Sequence, residues 1–314
     1  MARERAQAHQ RTGQGIRRQG KITDDPVQFP ATPRIARRFL SPLPRPAGAR
    51  PIRRVLLALW LAALLPAGGA LARDLVHAEA GELPVIIAAP HGGRADVPGC
   101  EVRTATGKRF VNRPDHNTDR LAQVIAAELK RLTGQAPYLV IARFHRKFID
   151  ANRSPEEAYG AEGCAADYDD YHAVLRRNVD DIRAKHPQAM LFDIHGQSAY
   201  RDAILRGTRH GETVTRLLAR AGAAAVTGPD SVFGRFAAMG YAIVPSNDTA
   251  LTDRVEAKNY IGGYTVARYG SHRADGIDAM QLEFGRDFRN NDNVERTAQD
   301  AAQAIAAFYA RYLR

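Results

Sequence analysis

Pro84-Val-Ile-Ile-Ala-Ala-Pro-His-Gly-Gly93 is a short β-branched apolar run that ends abruptly in a histidine and two glycines. A run of this length with such punctuation reads as a strand buried on both faces of an α/β sheet. Ligand sites of such sheets lie just past the carboxyl ends of the strands, which is where His91 falls. The pattern recurs at Ala189-Met-Leu-Phe-Asp-Ile-His-Gly-Gln197, so His195 also ends an apolar strand and meets a glycine. Two strand-terminal imidazoles at one rim of one sheet make a metal site the working expectation.

Working outward, Asp115-His-Asn-Thr-Asp119 precedes a run with helical spacing of apolar residues, Leu121 to Leu132, with Asn117 or Thr118 as N-cap and Gly134 as terminator. Tyr138-Leu-Val-Ile-Ala142 reads as a strand leading into Arg143 to Arg153, and Tyr168 to Lys185 as an amphipathic helix. Ala203 to Gly207 reads as another strand and Glu212 to Ala221 as another helix. Gly262 to Gly270 reads as a loop and short strand, Ala279 to Gly285 as a strand carrying Glu283, and Val294 to Tyr312 as a closing helix. Strands alternating with helices, without an internal repeat, predict one three-layer α/β/α domain over residues 73–314 with a mixed, mostly parallel sheet.

The net charge of +11 invites a nucleic-acid reading, but its distribution opposes one. Residues 1–72 hold 13 Lys+Arg and 3 Asp+Glu, whereas the remaining 242 hold 32 and 31, a net of +1. A polyanion binder needs its positive charge on the folded domain. Residues 1–50, rich in Arg, Pro, Gln and Ala, read as a disordered basic leader or an over-extended start. Residues 51–72 read as a signal peptide: Arg53-Arg54, an apolar core from Val55 to Leu65, then Ala70-Leu-Ala72. The mature protein is therefore expected to be exported, to the periplasm, with no stable membrane span after cleavage; an uncleaved N-terminal anchor is the alternative. Export allows one bridge between Cys100 and Cys164, the only cysteines, with two unpaired thiols as the alternative and no metal-ligand spacing for either.

Hydrolytic zinc takes three protein ligands and a water, with histidine and carboxylate as usual donors. With His91 and His195 as two ligands, the third must come from an acid. The position three residues after His91 is Arg94, so the carboxypeptidase-type spacing fails there. Asp115 is preferred, Asp119 is second and Asp96 third. For Asp119 the alternative is a first-turn carboxylate stabilised by the helix dipole. Asp193 shares a sheet face with His195 by the period-two rule and could support the site from behind or be a minor ligand alternative.

The set His91-Gly-Gly, Asp115-x-Asn-Thr-Asp119-Arg-Leu-Ala, Arg146-x-x-x-Asp150-x-Asn-Arg153, Asp193-Ile-His195-Gly and Gly262-Gly-Tyr264 resembles the N-formylglutamate amidohydrolase family over most of residues 83–290. That resemblance implies the zinc carboxypeptidase-like, or phosphorylase/hydrolase-like, fold and a zinc-dependent hydrolase cleaving an amide of an amino-acid-like substrate. It also implies roles. Glu283 would be the general base that takes a proton from the attacking water and delivers it to the leaving nitrogen, Arg146 would polarise the scissile carbonyl, and Asn152 with Arg153 would grip a substrate carboxylate. The planar guanidinium fork suits that last task. The first corner departs from the His-Ser-Gly common in the family, and export departs from a cytoplasmic catabolic role; both leave the substrate open.

The expected protein is thus an exported amidohydrolase with Zn2+ on His91, Asp115 and His195, acting on a small N-acyl amino acid or short peptide. A metallocarboxypeptidase or peptidoglycan peptidase shares that chemistry. A catalytically silent periplasmic binding protein for acidic amino acids or wall fragments is the rival of another class. The oligomeric state is not legible in the sequence.

Overall fold

The computed structural model describes residues 74–104 and 110–314, so the leader and signal segments of residues 1–72 lie outside the described residues. Seven strands form one sheet: β1 (Val76–Glu79), β2 (Val85–Ala89), β3 (Tyr138–Ala142), β4 (Met190–Gln197), β5 (Ala203–Gly207), β6 (Ala242–Val244) and β7 (Asp278–Gly285), in the order β1-β3-β2-β4-β7-β5-β6. The four central strands β3, β2, β4 and β7 run parallel. At the edges β1 runs antiparallel to β3, and β5 antiparallel to β7 with β6 parallel to β5. The sheet is mixed and mostly parallel, as expected.

Eight helices are described: α1 (Thr118–Thr133), α2 (Pro155–Ala158), α3 (Ala165–Lys185), α4 (Thr215–Ala221), α5 (Ala224–Thr227), α6 (Val232–Ala238), α7 (Tyr264–Tyr269) and α8 (Val294–Tyr312). They make two layers. On one face Val85, Ile87, Phe192, Met280 and Leu282 pack with Leu121, Ile125 and Leu129 of α1 and Ala301, Ile305 and Phe308 of α8. On the other, Ile86, Ala88, Leu191 and Ala279 pack with Tyr171, Leu175, Val179 and Ile182 of α3 and with Val266 of α7. Every residue of β2 and β3 is buried, which is why those segments read as unbroken apolar runs rather than alternating ones. Among the described residues, no helix is long and apolar enough to cross a membrane.

Some local expectations are corrected. Gly262 to Gly270 holds no strand: Tyr264–Tyr269 is helical, bracketed by extended Gly263 and Gly270. Its Tyr-Thr-Val composition favours a strand, but packing overrides propensity by burying Thr265, Val266 and Tyr269 on one side of the turn. Glu212 to Ala221 is a 3-10 turn, Glu212–Val214, followed by the shorter α4. Asn117 precedes α1 in the left-handed conformation (φ 60°) and makes no capping bond. Its amide donates instead to the Arg289 carbonyl (2.9 Å) and to Asn291 Oδ1 (3.0 Å).

Cys100 and Cys164 form a disulfide with a Cα separation of 4.9 Å. It pins the long segment after β2 to the start of α3. Closing a 64-residue separation in the unfolded chain is worth about 4 kcal/mol in the chain-entropy model. Reduction, or the double change Cys100→Ala/Cys164→Ala, should lower unfolding stability by that order, read as a lower guanidinium midpoint together with a steeper slope, because the unbridged denatured chain is more expanded.

Candidate metal centre and active site

Strand order creates the site. β2, β4 and β7 are neighbours and parallel, so their carboxyl ends open on one rim. His91 stands just past β2, after Pro90, while His195 and Glu283 are register partners on β4 and β7. On β4 and β7 the side chains alternate. Phe192, Ile194, Met280 and Leu282 enter the α1/α8 core, leaving Asp193, His195, Gln281 and Glu283 on the opposite face, all buried.

Two glycines let other segments close in on these histidines. A Cβ on Gly92 would lie 2.4 Å from the backbone nitrogen of Asp119, so the entry to α1 packs against the His91 corner. That contact brings Asp115 beside both imidazoles, with its backbone N–H donating to the His91 carbonyl (2.9 Å). A Cβ on Gly196 would lie 2.2 Å from Cζ of Arg289. The strand runs straight through Gly196, so this glycine serves close approach and not a turn.

Three potential ligand atoms converge. His91 Nδ1 and His195 Nδ1 are 3.1 Å apart, and Asp115 Oδ2 lies 3.3 Å from the first and 3.4 Å from the second. The far nitrogens face carboxylates: His91 Nε2 is 2.6 Å from Asp150 Oδ1 and His195 Nε2 is 2.9 Å from Asp193 Oδ2. Carboxylate acceptors there place a proton on each Nε2, which turns both Nδ1 lone pairs toward the centre. Two lone pairs and a carboxylate oxygen therefore meet in a buried space, an arrangement that calls for a cation. The donor set fits a catalytic metal with an open position. With a proton as that cation, burial opposes the charge on His195, but Asp193 and Asp115 prevail and push its pKa up to about 10. Asp115 is held well below the usual carboxylate range by His91 and His195, against its burial.

Asp150 supports this centre. It is fully buried, bonds Arg146 Nε through Oδ2 (2.9 Å), accepts the Asn152 N–H (3.1 Å), and is held well below the usual range by Arg146 and His91 against burial. Arg146 reaches across to Asp115 Oδ1 (3.4 Å). Arg103 lies 3.7 Å from Asp150 and donates to the Arg146 carbonyl (3.0 Å). Asp150 had a signal in the sequence, the Arg146-x-x-x-Asp150 spacing, but spacing alone could not show which group it faces.

Glu283 is the register partner of His195 on the neighbouring strand and interacts electrostatically with His195 and Asp115. Its Oε1 accepts from Gln281 Nε2 (2.9 Å), whereas Oε2 is buried with no hydrogen-bond partner. Burial raises its pKa to about 7, with Asp115 adding to the rise and His195 opposing it. Gln281, which no motif singled out, holds Glu283 and also accepts from the Gly263 N–H (2.7 Å).

The remaining expected residues fall as follows. Asn152 is buried; its Oδ1 accepts from Thr265 N–H (2.8 Å), and its Nδ2 lies 3.0 Å from His195 Nε2 and 3.4 Å from Gln281 Oε1. Arg153 is half-buried, makes a long bond to the Asn152 carbonyl (3.5 Å), and faces the charge of Asp150. Asp96 is away from the cluster, exposed and paired with Lys147 (3.1 Å). Asp119 sits in the first turn of α1, and the group of potential ligands closes with Asp115 instead.

The N-formylglutamate amidohydrolase family model matches residues 160–288. No curated protein matches the sequence. Among solved structures, N-formylglutamate amidohydrolase from Ralstonia eutropha JMP134 superposes with a TM-score of 0.52 at 18% identity, over 76% of this chain and 98% of that one. A gene product of Agrobacterium tumefaciens gives 0.45 at 15% identity, over 76% and 94%. A metallo-carboxypeptidase from Pseudomonas aeruginosa gives 0.33 at 14% identity, over 73% and 57%. Of the three, the first supports a shared fold, and at that identity it supports nothing more. The matched segment carries His195 and Glu283, and with it the chain resembles the N-formylglutamate amidohydrolase family in sequence across residues 160–288 and shares its fold.

Proposed function

We propose that the protein is an exported, zinc-dependent amidohydrolase acting on a small N-acyl amino acid. The observation that carries this reading is the convergence of His91 Nδ1, His195 Nδ1 and Asp115 Oδ2, with buried Glu283 in register with His195 and its Oε2 unpartnered. The family match supports hydrolysis of a C–N bond. Export is supported by the signal-like sequence of residues 51–72 and by the disulfide, which suits an oxidising compartment.

His91, His195 and Asp115 would hold the metal, and a divalent cation there lowers the pKa of water and polarises a carbonyl. The chain's own groups do the rest. Glu283, fixed through Oε1 by Gln281, offers Oε2 to take a proton from the attacking water and return it to the leaving nitrogen. Arg146, anchored on Asp150, lies beside Asp115 and steadies the oxygen on which negative charge develops. Arg153, with Asn152 beside it, receives the substrate carboxylate. Asp150 and Asp193 keep both imidazoles oriented.

Metal analysis of the purified protein should find near-stoichiometric zinc in wild type and loss of it in both His91→Ala and His195→Ala. Wild-type protein that stays metal-free after zinc is supplied would sink the mechanism.

Glu283→Gln should keep its zinc and lose at least a hundredfold in kcat, in line with removal of a general base. The base must be ionised to act, so wild-type kcat/KM should fall as pH drops through the Glu283 pKa. That pKa is raised to about 7 by burial and is brought down by a bound cation. An acid limb unchanged in residual Glu283→Gln activity would assign it to another group.

Arg153→Ala should mainly raise KM for N-acyl amino acids with a free carboxylate, because it binds ground and transition states alike. Esters or amides of that carboxylate should not distinguish variant from wild type. A fall in kcat at unchanged KM would remove Arg153 from the carboxylate subsite.

A further inference from the structure

Arg289 stands just past β7, after the 3-10 turn Arg286–Phe288, and is only 3% exposed. It hydrogen-bonds backbone carbonyls on three separate segments. Nε donates to the Phe284 carbonyl (2.9 Å), Nη2 to the Gln197 carbonyl (3.2 Å) and Nη1 to the His116 carbonyl. Phe284 follows Glu283, Gln197 lies two residues beyond His195, and His116 follows Asp115. One guanidinium thus bridges the β7 end, the β4 end and the entry to α1, the segments that carry the base and two of the three potential metal ligands. A fourth bond returns from the α1 side, where Asn117 Nδ2 donates to the Arg289 carbonyl (2.9 Å). Gly196 has no Cβ at the place where the guanidinium lies.

Chemistry explains why the residue is arginine. Three carbonyls on three segments, each taking a different guanidinium nitrogen, match a rigid fork of donors, whereas a lysine ammonium is a point donor on a flexible stem. A charge buried against carbonyls alone is costly. Here the carboxylates of Asp115 and Glu283 act on it electrostatically and offset part of that cost, while burial pulls its pKa down. The charge is therefore balanced by the site that its hydrogen bonds hold together.

We propose that Arg289 is a positioning residue for the metal centre: it locks the Asp115, His195 and Glu283 segments into one rim and thereby sets metal affinity. The proposal rests on the metal-centre reading above. It predicts that Arg289→Ala weakens zinc binding, measured by chelator competition on the full chain, by 10- to 100-fold, about the effect of losing a partner that orients ligands. Arg289→Lys should recover only part of that loss. Guanidinium chloride at sub-denaturing concentration should restore zinc affinity to Arg289→Ala by refilling the cavity, and sodium chloride at equal ionic strength should not. A merely destabilised protein would respond in the opposite sense. Wild-type affinity in both variants would overturn the proposal, as would a loss that guanidinium does not repair. If Arg289→Ala fails to fold, Arg289→Lys decides: weakened zinc with a wild-type circular dichroism spectrum supports the proposal, and wild-type affinity defeats it. Wild-type protein that binds no zinc would sink the metal centre itself, and this role with it, a failure distinct from variants that bind as wild type does.

Discussion

Two imidazole nitrogens and a carboxylate oxygen, all within 3.4 Å of one another in a buried space, form a donor set compatible with a cation between them. Much of the rim follows from that constraint. For both Nδ1 lone pairs to face the centre, both rings carry their protons on Nε2, so each needs a fixed acceptor behind it, and Asp150 and Asp193 supply them. Those buried carboxylates need countercharge, and for Asp150 Arg146 and Arg103 provide it. Asp193 keeps one buried oxygen without a partner, so its compensation comes chiefly from the His195 imidazole. Breaking any one of these pairs would leave an uncompensated buried charge, the costliest kind of error in a protein interior.

The parts of this arrangement that one strand encodes were legible in the sequence. Continuous apolar runs announced β2 and β3 because both of their faces are covered, and β4 and β7 showed as apolar stretches broken by the polar residues that face the site. A histidine followed by glycine at two strand ends located the rim. Asp115 could be preferred because it stands at a helix entry, and helix entries pack against strand ends in such folds. Arg289 and Gln281 were invisible for a different reason. Their roles lie in what they touch across 92 residues of chain, in the case of Arg289 and Gln197, or across two strand positions on a face shared with Asn152. The helix at Tyr264–Tyr269 was misread because β-branched and aromatic residues suit a strand until a sheet face claims them for helical packing. The edge strands β1 and β6 are short and partly exposed, so no apolar run announced them.

The glycines of the two His-Gly corners show how local sequence and long-range packing meet. Each reads as punctuation, but each is needed because another backbone or side chain occupies the space of its Cβ. At Gly92 the occupant is the start of α1, which delivers Asp115. At Gly196 it is the guanidinium of Arg289, which holds that same helix entry to β4 and β7. The two glycines therefore serve one end, closing the gap between strand ends and helix so that a carboxylate reaches two imidazoles.

Charge bookkeeping at the rim also bears on what the site would take. The carboxylates of Asp115, Asp150, Asp193 and Glu283 stand against the guanidiniums of Arg103, Arg146, Arg153 and Arg289, a formal balance. A divalent cation would tip that balance to positive. Low-dielectric walls strengthen such an excess. A neutral ligand would leave it unanswered, whereas a carboxylate at Arg153 would answer it and leave Arg146 free for the carbonyl. A silent binding protein would also welcome that carboxylate. It would have no reason, however, to keep a raised, half-unsatisfied glutamate in register with His195, where an apolar residue of similar size would cost less. Retaining Glu283 in that position is understandable if the carboxylate must gain and lose a proton there, and that requirement favours hydrolysis over binding alone.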